Sequence, residues 1–284
     1  MTQIVKGVKG LVKEYQLLLI DIWGVLYDGG QVFSPALHCL QKLSALHVPI
    51  ILLSNAARRK SLLEAQLSHA GIPTHLYSSL LSSGELTWQF LYEQTVSRMR
   101  WRNGYYLGSP RSRTLCNGLG CTWQDSLADA DFVLTTGVPE GIPLRVEPLN
   151  PLICQMVELD LPMVCANPDL VAVRSGVLGI SAGSIAQTYL EQGGNELISF
   201  GKPDVKVFQQ AMAEAGVSDP KKVLMIGDAM ATDVVGANHA GIDSLLIASG
   251  IHRDILNPVN NESIDKLVSE YQVSPTFVSG PLAW

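Results

Sequence analysis

The chain has 284 residues, of which 47% are hydrophobic and 16% are charged, and its formal net charge is −6. This length and composition favour a globular protein of one large or two small domains and exclude a disordered chain. The negative charge and the lack of a Lys/Arg run argue against nucleic acid as a partner. The apolar runs are too short to span a bilayer and the N-terminal sequence lacks a signal-peptide core, so the sequence predicts a cytoplasmic protein without a membrane partner.

The five cysteines are scattered along the chain. Cys116 and Cys121 form one CxxxxC pair, but no second pair in the sequence completes a zinc site. Reduced thiols are therefore expected, as is usual in a cytoplasm.

Strand and helix patterns alternate from the first residues onward. The unbroken apolar segments 16–22 and 48–55 are typical of strands that are buried on both faces. Segment 34–47 predicts a helix with Ser34 as its candidate N-cap, and segment 57–71 predicts a second helix. This βαβα order predicts a parallel sheet with right-handed crossovers.

The same pattern returns near the C-terminal end of the sequence. Segments 202–216 and 232–241 predict helices, each ended by a glycine, and segments 222–229 and 242–249 predict buried strands. These elements are expected to extend the sheet that the first segments begin.

The middle of the chain has a different composition, which predicts an inserted domain. Its apolar runs are shorter, as in segment 132–138, and turn residues are frequent, as in the Pro-rich segment 139–151. We expect the α/β fold class, with a three-layer, Rossmann-like, parallel-sheet core built from residues 1–79 and 196–284. A smaller α/β domain is expected at residues 80–195.

Polar residues follow the predicted strands, or begin a predicted helix, in both halves of the core. They are Asp21, the pair Ser54-Asn55, Lys202, and Asp228 with Asp233. Ligands of a parallel α/β sheet bind beyond the carboxyl ends of its strands, so we expect the strand-end residues at one edge, within reach of the lysine. Each of these residues, taken alone, can be explained by local structure without a functional role, because such residues are common in turns and helix caps. Their joint occurrence in this order favours a functional site.

The residue types in this set indicate phosphate chemistry. Clustered carboxylates cannot all ionise cheaply without a cation, and hard oxygen ligands without Cys or His suit Mg²⁺. A metal ion, a lysine, a hydroxyl and backbone N–H groups are what a phosphoryl group needs as its charge redistributes. A remaining carboxylate can attack phosphorus and form an aspartyl phosphate.

The motif order DxxGVL, LLSN, GKP and GDxxxTD resembles the haloacid dehalogenase superfamily, whose members are mostly Mg²⁺-dependent phosphatases. The insertion with ANPD at 166–169 and the sequence SNAARR at 54–59 are similar to subfamily IIA, the NagD-like branch with the second type of cap. That branch includes sugar phosphatases, 4-nitrophenyl phosphatases and pyridoxal phosphate phosphatase. The resemblance implies that the inserted domain is a cap that covers the site and determines the substrate.

The resemblance also implies a role for each matched residue. Asp21 would be the nucleophile and a Mg²⁺ ligand, and the backbone carbonyl of Trp23 a second ligand. Lys202 would neutralise the nucleophile and the transferred group. Asp228 would bind the metal directly or through water, and Asp233 would support the metal site.

The resemblance also implies roles in phosphate binding and in the cap for further residues. Ser54 and the amide of Asn55 would hold the phosphoryl oxygens. Arg58, Asn167 and Asp169 would belong to the cap or substrate contacts, although the NPD sequence is also a good plain turn.

Trp23 departs from the pattern of the superfamily, in which most phosphatases have DxD at this motif. The second Asp protonates the leaving group and then activates water, and an indole N–H can do neither. Three explanations remain open: another group replaces the Asp, the leaving group needs no proton, or the protein binds phosphorylated ligands and barely turns over. A purely structural role, in which the ring packs the loop against the cap, is the fourth interpretation of Trp23.

The favoured function is a Mg²⁺-dependent phosphatase of a small phosphorylated metabolite, such as a sugar phosphate or nucleotide. The alternative is a binding or regulatory protein on the same fold, with little turnover. A signalling receiver domain also uses a strand-end Asp, acidic metal ligands and a lysine, but its usual length and the large insertion count against it. The sequence leaves the oligomeric state open, with a homo-oligomer as one alternative.

Overall fold

A computed structural model describes residues 2–174 and 177–284 of the chain. Its strands and helices follow in chain order. The strands are β1 (Gln3–Ile4), β2 (Leu17–Ile20), β3 (Ile50–Ser54), β4 (Ser79–Ser82), β5 (Asn103–Leu107), β6 (Thr122–Gln124), β7 (Phe132–Thr135), β8 (Met163–Cys165), β9 (Val171–Arg174), β10 (Val177–Ile180), β11 (Leu197–Ser199), β12 (Val223–Gly227), β13 (Asp243–Ile247) and β14 (Phe277–Ser279). The α-helices are α1 (Ser34–Ala45), α2 (Lys60–Ala70), α3 (Ser83–Tyr92), α4 (Asn150–Glu158), α5 (Ala182–Glu191), α6 (Val205–Ala215), α7 (Val235–Ala240) and α8 (Asn261–Tyr271). None of the described helices is both long and apolar enough to cross a membrane.

The chain divides into two compact units, each with its own sheet. The first unit contains the residues up to Ser54, residues 61–81 and residues 202–284. The second unit contains residues 55–60 and 82–201.

The sheet of the first unit has the strand order β1-β14-β13-β12-β2-β3-β4. Its pairings from β1 through to β3 are all parallel. The central strands β2, β3 and β12 are buried along their whole length, as expected for strands covered on both faces. The predicted α/β fold class, with a Rossmann-like parallel-sheet core, is confirmed.

The sheet of the second unit has the order β11-β8-β7-β5-β6, and all of its pairings are parallel. A separate antiparallel pair is formed by β9 and β10. One apolar cluster joins β7 and β8 to α4 and α5, and a second includes Trp101, Phe132 and Leu134. The second unit is thus an α/β unit with its own hydrophobic core.

The division between the units differs from the expected boundaries at residues 79/80 and 195/196. It falls at Leu81/Ser82 and at Gly201/Lys202. The C-terminal difference has a clear cause, since β11 pairs with β8 and thereby adds a strand to the second sheet. The short segment 55–60 also belongs to the second unit, which the linear sequence does not indicate.

The starts of three helices differ from the predicted ones. The helix expected from residue 57 begins at Lys60, whose backbone N–H donates to the Glu85 carboxylate at 2.9 Å. The helix expected from residue 202 begins at Val205, because Asp204 caps it by accepting from the Lys206 N–H. The first predicted helix has Phe33, not Ser34, at its N-cap.

Candidate active site

Three aspartates meet beyond the carboxyl ends of β2 and β12, which are neighbouring strands. Asp21 directly follows β2, Asp228 directly follows β12, and Asp233 lies in the helical turn Met230–Val234. Carboxylate oxygens of the three lie within 4.8 Å of one another, and all three residues are buried. The sequence-based expectation that distant segments bring these residues to one sheet edge agrees with this geometry.

Lys202 places its ammonium group between two of these carboxylates. Its Nζ donates to Asp21 Oδ1 at 2.5 Å and to Asp233 Oδ1 at 2.6 Å, and the side chain is 3% exposed. Burial alone would lower the pKa of Lys202, but the two carboxylates outweigh burial and raise that pKa above its usual range. The lysine is therefore held as a cation in a buried site.

Asp228 is a buried carboxylate that lies beside two other acidic side chains. Its burial and then the charges of Asp21 and Asp233 raise its pKa well above the usual range. Its Oδ2 accepts from the Ile251 backbone N–H at 2.8 Å. Gly24, at φ 80°, lies so close that a Cβ there would collide with the Asp228 carboxylate. Gly24 of the loop after β2 thus makes room for Asp228 of the GDxxxTD motif.

Asp233 is held by the turn that carries it. Its Oδ2 accepts from the Ala229 backbone N–H at 3.0 Å. His252 Nε2 accepts from the Met230 N–H at 3.1 Å, and burial lowers the pKa of this histidine. Sequence reasoning missed Ile251 and His252, because both reach the site from a loop more than twenty residues away in the chain.

Ser54 and Asn55 are both buried, at 1% and 3% exposure. Ser54 ends β3, the neighbour of β2 on the side away from β12. The Asn55 amide donates to Asp169 Oδ1 at 2.7 Å within the second unit. Asn167 Oδ1 accepts from the Asp169 N–H at 2.9 Å, which is the Asx turn that the NPD sequence suggests. The NPD segment is therefore a turn that also presents a carboxylate to Asn55.

The segment after Asn55 is bound to helix α3 by hydrogen bonds and by a contact with an aromatic ring. Arg59 forms two hydrogen bonds with the Glu85 carboxylate, at 2.7 and 3.2 Å, and its guanidinium lies 3.7 Å from the centre of the Trp88 ring. The Arg58 carbonyl accepts from the Ser82 hydroxyl at 2.7 Å. This arrangement, which the sequence did not indicate, fixes the course of the chain just after the SN motif.

Trp23 is half-buried in the loop that follows Asp21. Its ring packs on Tyr27 at a centroid distance of 5.4 Å, and the chain forms an isolated bridge between these two residues. A Cβ on Gly29 would lie 3.4 Å from the indole. The indole thus helps to shape its own loop, which is part of the structural role considered for Trp23.

The donor set at the sheet edge fits a hard cation. Three buried carboxylates lie together and Lys202 pairs with two of them, so negative charge accumulates at this edge of the sheet. The raised pKa of Asp228, which is caused first by burial and then by the charges of Asp21 and Asp233, agrees with this accumulation of negative charge. An added divalent ion would relieve it, and oxygen-only ligands suit Mg²⁺ or a similar metal.

Two family models match the chain, and the first match extends from the first unit into the second. Residues 18–122 match the haloacid dehalogenase-like hydrolases, and residues 199–278 match a HAD-hydrolase-like model. The chain belongs to the haloacid dehalogenase-like hydrolases. The resemblance identified from the four motifs is thereby confirmed.

Two relatives carry the names of phosphate-releasing enzymes. The chain is 24% identical to the 5'-nucleotidase YutF of Bacillus subtilis over 84% of this chain and 90% of that protein. It is 27% identical to the dihydroxyacetone phosphatase of Corynebacterium glutamicum over 93% of this chain and 88% of the relative. These relatives confirm the prediction of a hydrolase of the phosphoric monoester class.

Two solved structures share the fold. A haloacid dehalogenase-like hydrolase from Brucella suis has a TM-score of 0.82 and 28% identity, covering 98% of this chain and 100% of that one. NagD from Escherichia coli has a TM-score of 0.66 and 19% identity, covering 94% of this chain and 96% of that one. The predicted NagD-like architecture is therefore confirmed at the level of the fold.

Proposed function

We propose that the protein is a metal-dependent phosphatase that hydrolyses a small phosphorylated metabolite through an aspartyl phosphate. The observation that carries this proposal is the buried cluster of Asp21, Asp228 and Asp233 with the single ammonium group of Lys202. Such a cluster concentrates a nucleophile and fixed charges at the point where phosphoryl groups of α/β proteins bind.

Asp21 is the nucleophile of the proposed reaction. Its carboxylate forms a bond to phosphorus while the bond between phosphorus and the ester oxygen breaks, and water then attacks the aspartyl phosphate to release inorganic phosphate. Lys202 donates to Asp21 Oδ1 and orients the carboxylate. The Ser54 hydroxyl and the Asn55 backbone amide hold the phosphoryl oxygens.

The metal of the proposed reaction is Mg²⁺, held by the carboxylates of Asp21, Asp228 and Asp233 and by the backbone carbonyl of Trp23. When bound, this ion would neutralise charge on the phosphoryl oxygens. The three carboxylates, at 4.8 Å or less from one another, support this assignment.

The second unit is the proposed cap that determines the substrate. The names of two relatives refer to 5'-nucleotides and to dihydroxyacetone phosphate, which are both small phosphate monoesters. Asp169 holds Asn55 and so positions the segment that follows Ser54, while Arg58 and Asn167 belong to the same group of contacts.

The test is a hydrolysis screen over sugar phosphates, nucleotides, pyridoxal phosphate and 4-nitrophenyl phosphate, with Mg²⁺ and with EDTA. Asp21→Asn keeps the shape of the side chain and should abolish phosphate release. Asp28→Asn is the matched control, because Asp28 lies exposed in the same loop and its carboxylate accepts from the local N–H groups of Gly30 and Gln31. Equal rates in the Asp21 variant and the wild type, with contaminating phosphatases excluded, would refute covalent catalysis by Asp21.

A second candidate function is the binding of a phosphorylated metabolite with little turnover. The presence of Trp23, whose ring packs on Tyr27 where most relatives in the superfamily have an acid, favours it. In that case a phosphorylated ligand would stabilise the protein in the presence of Mg²⁺ without measurable phosphate release. Steady release of phosphate that depends on Asp21 would exclude this alternative.

A further inference from the structure

The second unit contains a cavity of about 460 Å³. It is lined by the end of β5 and the residues that follow it, and by the loop that connects β7 to α4. Its volume lies in the range of roughly 300–1,000 Å³ that is usual for small-molecule sites. None of the residues assigned above to phosphate chemistry lines it.

The position of this cavity follows from the topology of the second sheet. Numbered along the chain, the five parallel strands β5, β6, β7, β8 and β11 have the spatial order 2-1-3-4-5. From β5 the chain first moves outward to β6 and then crosses to β7 on the other side, so the order reverses between β5 and β7. In open α/β sheets this switch point opens a crevice at the carboxyl ends of the strands, and ligands bind there.

Two close contacts shape the walls of the crevice. The Tyr106 hydroxyl donates to the Ser109 carbonyl at 2.8 Å and shares a hydrogen bond of 2.8 Å with Thr136 Oγ1, which ties the end of β5 to the end of β7. Gly108 permits this approach, since a Cβ there would collide with the Thr136 hydroxyl. The hydrogen bonds of Tyr106 and the close approach at Gly108 therefore fix the shape of the crevice.

The lining combines an apolar wall with a few polar groups. Ile142 and Leu152 are partly buried and form part of the wall. Arg113 lies with its guanidinium 5.4 Å from the centre of the Tyr106 ring, and Glu140 lies on the loop after β7. Among the residues that the structure describes, neither Arg113 nor Glu140 has an ion-pair partner.

We propose that this crevice is a second ligand site, specific for a small organic anion with a planar ring and of mononucleotide size. The anionic group binds Arg113 near the N-terminus of α4, where the helix dipole adds to the attraction. The ring lies against Ile142 and Leu152, and Glu140 accepts from a hydroxyl or amino group of the ligand. This site is independent of the proposed phosphatase function.

The proposal is tested by calorimetric titration of the full chain carrying Asp21→Asn, in EDTA, so that the probe is not hydrolysed. The probes are AMP, which has a ring and an anion, adenosine, which lacks the anion, and ribose 5-phosphate, which lacks the ring. AMP should bind more tightly than either fragment. Adding Arg113→Ala should weaken AMP binding about tenfold or more, which corresponds to one charge-assisted contact.

Arg111→Ala is the matched control, because Arg111 is exposed on the same segment but does not line the crevice. It should leave AMP binding unchanged. Equal losses in both arginine variants, or equal affinity for AMP and ribose 5-phosphate, would overturn the proposal. In the otherwise wild-type chain Arg113→Ala should not change kcat/KM for 4-nitrophenyl phosphate, and a change there would assign the crevice to the catalytic site and refute an independent site.

Discussion

At the scale of single residues, the chemistry of the proposed site depends most on Trp23. The side chain at this position cannot exchange a proton with the leaving group, whereas a carboxylic acid could. The indole instead packs on Tyr27 within the loop that follows Asp21. The loop therefore carries a packing residue at a position where a carboxylic acid could donate a proton, which would affect the rate if the protein hydrolyses its ligand.

The first prediction is that the rate depends steeply on the leaving group. Aryl phosphates leave as stabilised anions, whereas alkoxides need a proton, so alkyl phosphates should lag by about 10²–10⁴-fold, the usual contribution of general acid catalysis. Trp23→Asp should narrow this difference, and Trp23→Phe, which keeps a ring on Tyr27, should preserve it. The measurement is kcat/KM over a series of phosphate esters for the three proteins.

Acid-quench trapping of the phosphoenzyme completes this experiment. Without a group that activates water, dephosphorylation should be slow and the aspartyl phosphate should accumulate on Asp21. If the wild type hydrolyses alkyl and aryl esters at equal rates, another residue supplies the proton, and Asp169 is the first candidate to replace.

At the scale of secondary structure elements, the Glu85 carboxylate of helix α3 binds the first residue of α2 and the residue before it. The Glu85 carboxylate receives two hydrogen bonds from Arg59 and one from the Lys60 N–H. Burial alone would raise the pKa of Glu85, but these donors outweigh burial and lower that pKa below its ordinary value of 4.5. The stabilisation is therefore fully present at pH values above about 4.5 and is lost as the pH falls through the lower pKa of the folded protein.

The second prediction concerns this contact. Glu85→Gln should lower the free energy of unfolding by about 1.5–3 kcal/mol at pH 7, the usual range for hydrogen bonds to a charged group. The difference from the wild type should shrink at acidic pH, because the wild-type carboxylate is then protonated. The measurement is urea unfolding at both pH values. Glu93→Gln is the matched control, since Glu93 pairs with Arg98 at the exposed surface, and an equal loss there would contradict the prediction.

Local sequence signals predicted the elements well, and contacts over long sequence distances explain what they missed. The buried strands around Leu17–Ile20 and Val223–Gly227 follow from unbroken apolar runs, and the left-handed Gly216 ends its helix as predicted. The start of α2 was misplaced because its cap comes from Glu85, far along the chain. The same cause hid the Ile251 amide that binds Asp228.

The sequence predicted which types of residue form the candidate site and that they lie at one edge of the sheet. The edge could be predicted because the carboxyl ends of parallel strands are adjacent in any fold of this class. The assignment of Asn55 to the second unit was not predicted, and the bond from its amide to Asp169 joins residues that are 114 positions apart in the chain. The strand Leu197–Ser199 was also missed, because a short apolar run becomes a strand only when a neighbour such as Met163–Cys165 is available to pair with it.

At the scale of the whole molecule, the two units should respond differently to the metal. All three carboxylates and Lys202 lie in the first unit. The second unit has its own parallel sheet and its own hydrophobic clusters. A ligand that binds only the folded first unit stabilises that unit by mass action, by about 2.7 kcal/mol at a hundredfold excess over Kd.

The third prediction is that Mg²⁺ slows amide hydrogen exchange in the first unit alone. Peptides that cover β2 and β12 should gain protection when Mg²⁺ replaces EDTA, whereas peptides that cover β7 and β8 should not, because their opening does not release the metal. Mass spectrometry of exchange at peptide resolution gives this comparison. Asp228→Asn serves as the control: it keeps an acceptor for the Ile251 N–H, removes one ligand charge, and should abolish the gain in β2 and β12. Equal gains in all four strands would show that the two units open as one cooperative body, and no gain in any strand of the wild type would refute the assignment of the three aspartates as a Mg²⁺ site.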